Sequence, residues 1–268
     1  MDDPDLKLII GVVLLVVIAA AGWHFRDVLL PPPEETERIV SAPLPEASVP
    51  ETRPQQPLHP IEPSEGGGRD LVPLPPLDDS DSYFLLEISQ VFGTGIESLL
   101  LREAIIDRLV TTIDNLPRER VSEKIRPVRS LPVPFAASAS NDAAVFLLGS
   151  ENHRRYDELV NRIAAADTDS AVDIYRRFYP LFQKSYERLG YPGAYFNDRV
   201  IEVIDHLLDT PVPEGPIELI RPNVLYAFKD PELESFSSGQ KLLLRMGGEH
   251  TATVKILLAE LRAELVSP

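Results

Sequence analysis

Apolar residues run from Leu8 to Phe25 with a single polar interruption, give way to a proline-punctuated stretch, and return near Asp78 with helical and strand periods. The first run has 18 residues and one polar member, His24. A helix of that length spans about 27 Å, close to the roughly 30 Å of a bilayer core, so the run predicts a transmembrane helix behind a short tail, residues 1–7. Trp23 and Phe25 stand where interfacial aromatics lie, and Lys7 and Arg26 bracket the run with stems that reach headgroups. The competing reading is a cleaved signal peptide ending at Ala19-Ala20-Ala21. A leading segment with Asp2, Asp3 and Asp5 against Lys7 alone argues for the uncleaved anchor. One basic residue on each flank leaves orientation undecided by charge.

Residues 26–77 predict a disordered, acidic, Pro-rich linker. From Pro31 to Pro76, 46 residues hold 13 of the 26 prolines, with Gly66-Gly67-Gly68 and no apolar period. Such a stretch buries too little surface to offset its ordering entropy. Asp27 to Asp79 carries eleven acidic and three basic residues, so self-repulsion favours extension. Pro31–Pro76 reaches about 140 Å as polyproline II and about 40 Å as a coil. Pro43-Leu-Pro45 and Pro73-Leu-Pro-Pro76 carry a minor peptide-recognition reading beside that of a plain spacer.

Residues 78–265 predict one globular domain. Phe84, Leu85, Ile88, Val91 and Phe92 share a helix face. Thr94-Gly-Ile-Glu97 reads as a capping box opening a second helix through Asp114, apolar nearly all round and therefore central. Leu131-Pro-Val-Pro-Phe135 and Ala144–Leu148 predict a hairpin, and Ile217–Ile220 with Val224–Phe228 a second strand pair. Further helices are expected over Ser150–Ala165, Ser170–Leu189 with an internal Pro180, and Phe196–Leu208. Two more open at Ser237 or Ser238 and at Gly248, the last reaching Leu265. The class is α+β, mostly helical, with a small sheet or two short strand pairs.

Composition narrows the chemistry. There is no Cys, which removes disulfides, thiolate metal sites and cysteine nucleophiles, and the charge of −16 argues against nucleic acid as a partner. His24 and His59 fall in the span and the linker. His153 and Asp157 are i and i+4, a candidate metal pair that reads more simply as an exposed polar pair. His206 lies beside Asp205 in an amphipathic helix, and Glu249-His250 opens the last one. No nucleophile motif or phosphate loop occurs, and neither cofactor nor metal is expected. Eight of the nineteen aromatics fall between Tyr175 and Phe196, beside Arg154, Arg155, Arg176, Arg177, Lys184 and Arg188. Tyr and Arg dominate binding hot spots, which makes Tyr179, Tyr186, Tyr191 and Arg188 the candidate partner-binding residues. An ordinary core face backed by a solvated basic face is the simpler alternative. Arg118, Arg120, Lys124, Arg126 and Arg129 form a second basic patch, read as pairing within the chain or docking on anionic lipid.

Several stretches together carry a likeness: Leu116-Pro-Arg into Ile125-Arg-Pro-Val128, Arg155-Tyr156, Tyr175 through Tyr179-Pro180, and Leu189-Gly-Tyr-Pro192. Asp230-Pro-Glu-Leu-Glu234 followed by Gly239-Gln-Lys-Leu-Leu-Leu-Arg-Met-Gly247 is the strongest. Over residues 78–265 the chain resembles a proteobacterial family catalogued as domain of unknown function 3014. The resemblance implies a Gram-negative envelope setting and brings no activity, cofactor or catalytic residue. The expectation is a single-pass inner-membrane protein held through Leu8–Phe25, its domain periplasmic, binding an envelope protein or glycan as an adaptor. The alternative is a membrane-anchored hydrolase or modifying enzyme of envelope material, using carboxylates with His153 or His250. An oligomerising structural protein is the third reading.

Overall fold

The computed structural model describes residues 56–61 and 73–266, apart from Thr94, Ser130, Pro132, Ala166, Asp167 and Val224. The expected span and most of the linker lie outside the described residues. Among the described residues no helix is long and apolar enough to cross a membrane.

A short 3-10 turn, Leu77–Asp79, leads into α1 (Asp81–Phe92), which buries Phe84, Leu85, Ile88 and Phe92 as its periodicity demands. The expected long second helix is instead two pieces, α2 (Ile96–Leu99) and α3 (Ile105–Asn115). Between them Leu100 is extended and bridges Val128, while Leu101 N donates to Pro127 O at 2.7 Å and Arg129 N to Leu99 O at 2.8 Å. These long-range main-chain bonds replace the helical ones. Thr94, the expected capping residue, lies outside the described residues. Helix α3 is capped from far upstream: the Asp81 carboxylate accepts from Ala104 N at 2.7 Å and Ile105 N at 2.8 Å. Ala104 holds φ +51°, a left-handed conformation stabilised by that bidentate cap.

The two expected strand pairs merge into one four-stranded antiparallel sheet, in the order β1 (Ser138–Ala139), β2 (Val145–Leu148), β3 (Ile217–Ile220), β4 (Ala227–Phe228). Leu131 and Val133–Phe135 of the expected first strand are outside the sheet, since a Pro-punctuated run supplies few ladder donors. Arg155 Nε holds it by donating to Val133 O at 2.9 Å. Phe228 N donates to Glu234 Oε2 at 2.8 Å, which occupies a main-chain donor that a further strand would use.

Helices α4 (Ser150–His153) and α5 (Asp157–Ala164) flank a 3-10 turn at Arg154–Tyr156, so the expected 150–165 helix is tightened at its middle. Next come α6 (Thr168–Arg188), which accommodates Pro180, and α7 (Phe196–Leu208), as its pattern predicts. Asp230 caps α8 (Pro231–Ser235); Ser237 and Gln240 form a capping box on α9 (Ser238–Met246); α10 (Gly248–Val266) closes the chain. Helix α10 packs on α7, and α3 on α6 and α7. Leu242, Leu243 and Met246 of α9 enter the helical core, whereas Leu244 enters the sheet's cluster with Leu148, Leu219 and Phe228. One helix thus joins the two apolar clusters.

Asp81→Ala removes both acceptors for the first turn of α3 beside a residue at positive φ. Urea unfolding is expected to show a loss of about 1–2 kcal/mol. Asp81→Asn, which keeps one acceptor oxygen, is expected to lose less.

Candidate functional site

The α6–α7 turn is fixed by one side chain. Gln183 Oε1 accepts from Phe196 N at 2.8 Å and from the Tyr179 hydroxyl at 3.2 Å, while its Nε2 donates to Ala194 O at 2.8 Å. The first turn of α7 therefore receives its cap from α6. Asn197, fully buried in that turn, is oriented from both ends. Tyr175 Oη donates to its Oδ1 at 3.1 Å, and its Nδ2 donates to Leu265 O at 3.2 Å.

Residues 56–61, which the sequence places in the linker, lie against this turn. Leu58 N and His59 N donate to the two oxygens of Asp198 at 3.0 and 2.8 Å, and Asn197 Nδ2 donates to His59 O at 3.0 Å. The chain bends at Leu58 and His59, so consecutive amides converge on one carboxylate. Pro57, His59 and Ile61 are half-buried, and Ile61 packs against the main core. Gln56, Leu58 and Pro60 face out, and Leu58 is 70% exposed. Recognition is of main chain, framed by two prolines.

The candidate partner residues divide among three places. Tyr179 belongs to the site just described, and burial pushes its pKa up to about 12, with an Asn197 main-chain hydrogen bond opposing and the Asp198 charge adding. Tyr186 is buried at 5% exposure and stacks on Tyr191 with ring centroids 4.7 Å apart. Burial and the Asp114 carboxylate push Tyr186 up to about 12. Tyr191 Oη donates to Asp114 Oδ2 at 3.2 Å. Arg188 is exposed and pairs with Asp78 at 2.7 Å. Tyr186 and Tyr191 thus share the Asp114 network, Tyr179 stands at the head of α7, and Arg188 reaches back to the first turn of the domain.

The basic patch between Pro117 and Pro132 is largely engaged by its own chain. Arg118 pairs with Asp114, exposed Arg120 with Glu119, Arg126 is buried and donates to Val121 O, and Arg129 donates to Leu100 O. Among the histidines, Asp157 pairs with His250 of α10 at 2.8 Å rather than with His153 one turn before it. His153 is held below its ordinary pKa by burial first and the His250 charge second, with Asp157 opposing. His206 Nε2 lies 2.8 Å from Ser237 Oγ, and burial lowers its pKa too. No group of three or more His, Asp or Glu side chains among the described residues is arranged to hold a metal.

A cleft of about 580 Å³ opens beside β3, lined by Pro211, Pro213, Pro216, Ile217 and Leu233. Of its polar lining, Lys229 and Glu218 pair with each other at 2.8 Å, and Asp230 caps α8. The residues that sequence reasoning missed are Gln183, Asn197 and Asp198. Asn-Asp in a helix's first turn is an ordinary helix-start signal, and nothing local says that its acceptor serves a segment almost 140 residues away.

A family model described as "Protein of unknown function (DUF3014)" matches residues 105–262. No curated protein and no solved structure matches the chain.

Two outcomes follow from this geometry. Asp198→Ala is expected to speed hydrogen exchange at the Leu58 and His59 amides by about tenfold or more, since bonds to a charged acceptor are worth roughly 1.5–3 kcal/mol each. Separately, His153 and His206 bind protons more weakly folded than unfolded. As pH falls through about 6.5 the unfolded chain therefore takes up more protons. Stability is fully present above that pH and declines below it until the folded rings also protonate. The urea midpoint is expected to be lower at pH 5.5 than at 7.5, and His153→Gln with His206→Gln is expected to shrink the difference.

Proposed function

The chain belongs to this family of proteins of unknown function, and from that premise we propose that it is a non-catalytic adaptor tethered to a bacterial inner membrane. Leu8–Phe25 anchors it, the Pro-rich linker gives it reach, and the periplasmic domain holds an envelope protein at the head of α7. One observation carries this reading: the pre-oriented Asn197–Asp198 pair grips a proline-framed segment by its main chain. Tethering suits such a site, because a weak grip becomes effective at the high local concentration a linker provides.

The hydrolase reading has one supporting observation, the His250–Asp157 pair with His153 nearby. The His250 side chain is 13% exposed, and the pair joins α5 to α10, so we read it as a clasp between helices.

The topology is tested by protease treatment of intact spheroplasts carrying a C-terminal epitope. Loss of the epitope while a cytoplasmic marker survives is expected. Protection until lysis would put the domain in the cytoplasm and overturn the envelope assignment.

A further inference from the structure

We propose that the site at the head of α7 takes a Pro-x-x-Pro bend followed by an aliphatic residue from another protein, and that residues 56–61 are a resident occupant which such a segment displaces. The inference rests on the adaptor reading and names the partner's chemistry.

Three features set that chemistry. The donors and acceptors used are main-chain groups: two consecutive amides on the Asp198 carboxylate and one carbonyl on Asn197 Nδ2. The two residues between the prolines must therefore keep their N–H groups, while most of their side-chain identity is free. Pro57 pre-sets its own backbone, and Pro60 restrains His59, so the bend loses little freedom on docking. The aliphatic position is set by Ile61, which packs on the core. Charge sets a further limit: the reader is a carboxylate in a chain of net charge −16, so neutral or basic residues suit the two middle positions and acidic ones do not.

The resident segment is a modest ligand. Leu58 leaves an apolar side chain 70% exposed, and the bond to its amide is itself exposed. Eleven residues, 62–72, join it to Pro73, so proximity supplies an effective concentration on the order of 1 mM. A grip maintained by proximity yields to a partner that presents the same main-chain pattern at its own high local concentration, or with better side-chain contacts.

The test uses the full chain in detergent micelles and a fluorescein-labelled peptide, Gln-Pro-Leu-His-Pro-Ile, followed by anisotropy. The chain with residues 56–61 replaced by a Gly-Ser repeat is expected to bind the peptide at least about tenfold more tightly than the native chain, whose own segment competes. Adding Asp198→Ala to the replaced chain is expected to abolish binding. A peptide with Ser at the Leu58 position is expected to bind like the parent, and one with Pro at the His59 position to fail. Equal, weak binding to native and replaced chains would make the contact an internal clasp only and overturn the inference. Rapid amide exchange at Leu58 and His59 in the native chain would instead remove the site on which the adaptor reading rests. Self-association of the native chain that vanishes on replacing 56–61 would identify a second copy as the occupant and likewise overturn it.

Discussion

Asp114 is a carboxylate withdrawn from water at the C-terminal end of α3, where the helix's own carbonyls already concentrate negative charge. An unpaired charge in such a place is costly, roughly 3–5 kcal/mol when a partner is removed. Arg199 answers both problems together. Its Nε donates to Oδ1 at 3.0 Å, and its Nη2 donates to the main-chain carbonyl of the same residue at 2.7 Å. Burial works against the Arg199 charge, but the Glu202 and Asp114 carboxylates more than restore it, and its pKa stays above the ordinary value. Tyr191 and Arg118 satisfy Oδ2. Helix α3, the α6–α7 turn and the start of α7 are thereby held in one relative placement.

The neighbouring residue turns that placement into a binding geometry. Arg199 faces Asp114, and Asp198, one position earlier in the first turn of α7, presents its carboxylate to Leu58 and His59. Two acidic residues thus meet different fates. Asp114 is buried and answered by a guanidinium; Asp198 is partly exposed and answered by amides. Tyr175, Gln183 and Leu265 O fix the surroundings before any segment arrives, so the reader itself loses little freedom on binding. Ordering a six-residue segment costs backbone freedom, less at its prolines, and the two bonds to a charged acceptor, the Asn197 contact and the packing of Ile61 work against that cost.

Much of the architecture was legible along the chain. Helix α7 has the expected bounds because its apolar stripe is clean and Pro211 stops it. The helix start at Ser237 or Ser238 was a local signal too, whereas the short helix Pro231–Ser235 was not expected. The α+β class followed from two expected pairs of strand-like runs set among helices. The run from Ile96 to Asp114 misled because it is apolar nearly all round, which a buried helix and a buried extended residue satisfy alike, while Leu100 pairs with Val128 across the fold. Tyr186 and Tyr191 show the same divide. Their composition points toward a surface, yet the first is enclosed and the second spends its hydroxyl on Asp114.

What the sequence by itself determined is whatever depends on neighbours within a few residues: helix periods, proline stops, the Ser237 start of α9 and the absence of thiol chemistry. Tertiary structure alone decided which groups meet at long range. It broke the second helix, joined two strand pairs into one sheet, gave Asp157 to His250 rather than to His153, and laid residues 56–61 on Asn197 and Asp198. The physical reason is that a side chain's hydrogen-bonding capacity is written in its chemistry, whereas its partner is chosen by the packing that brings distant main chain within about 3 Å.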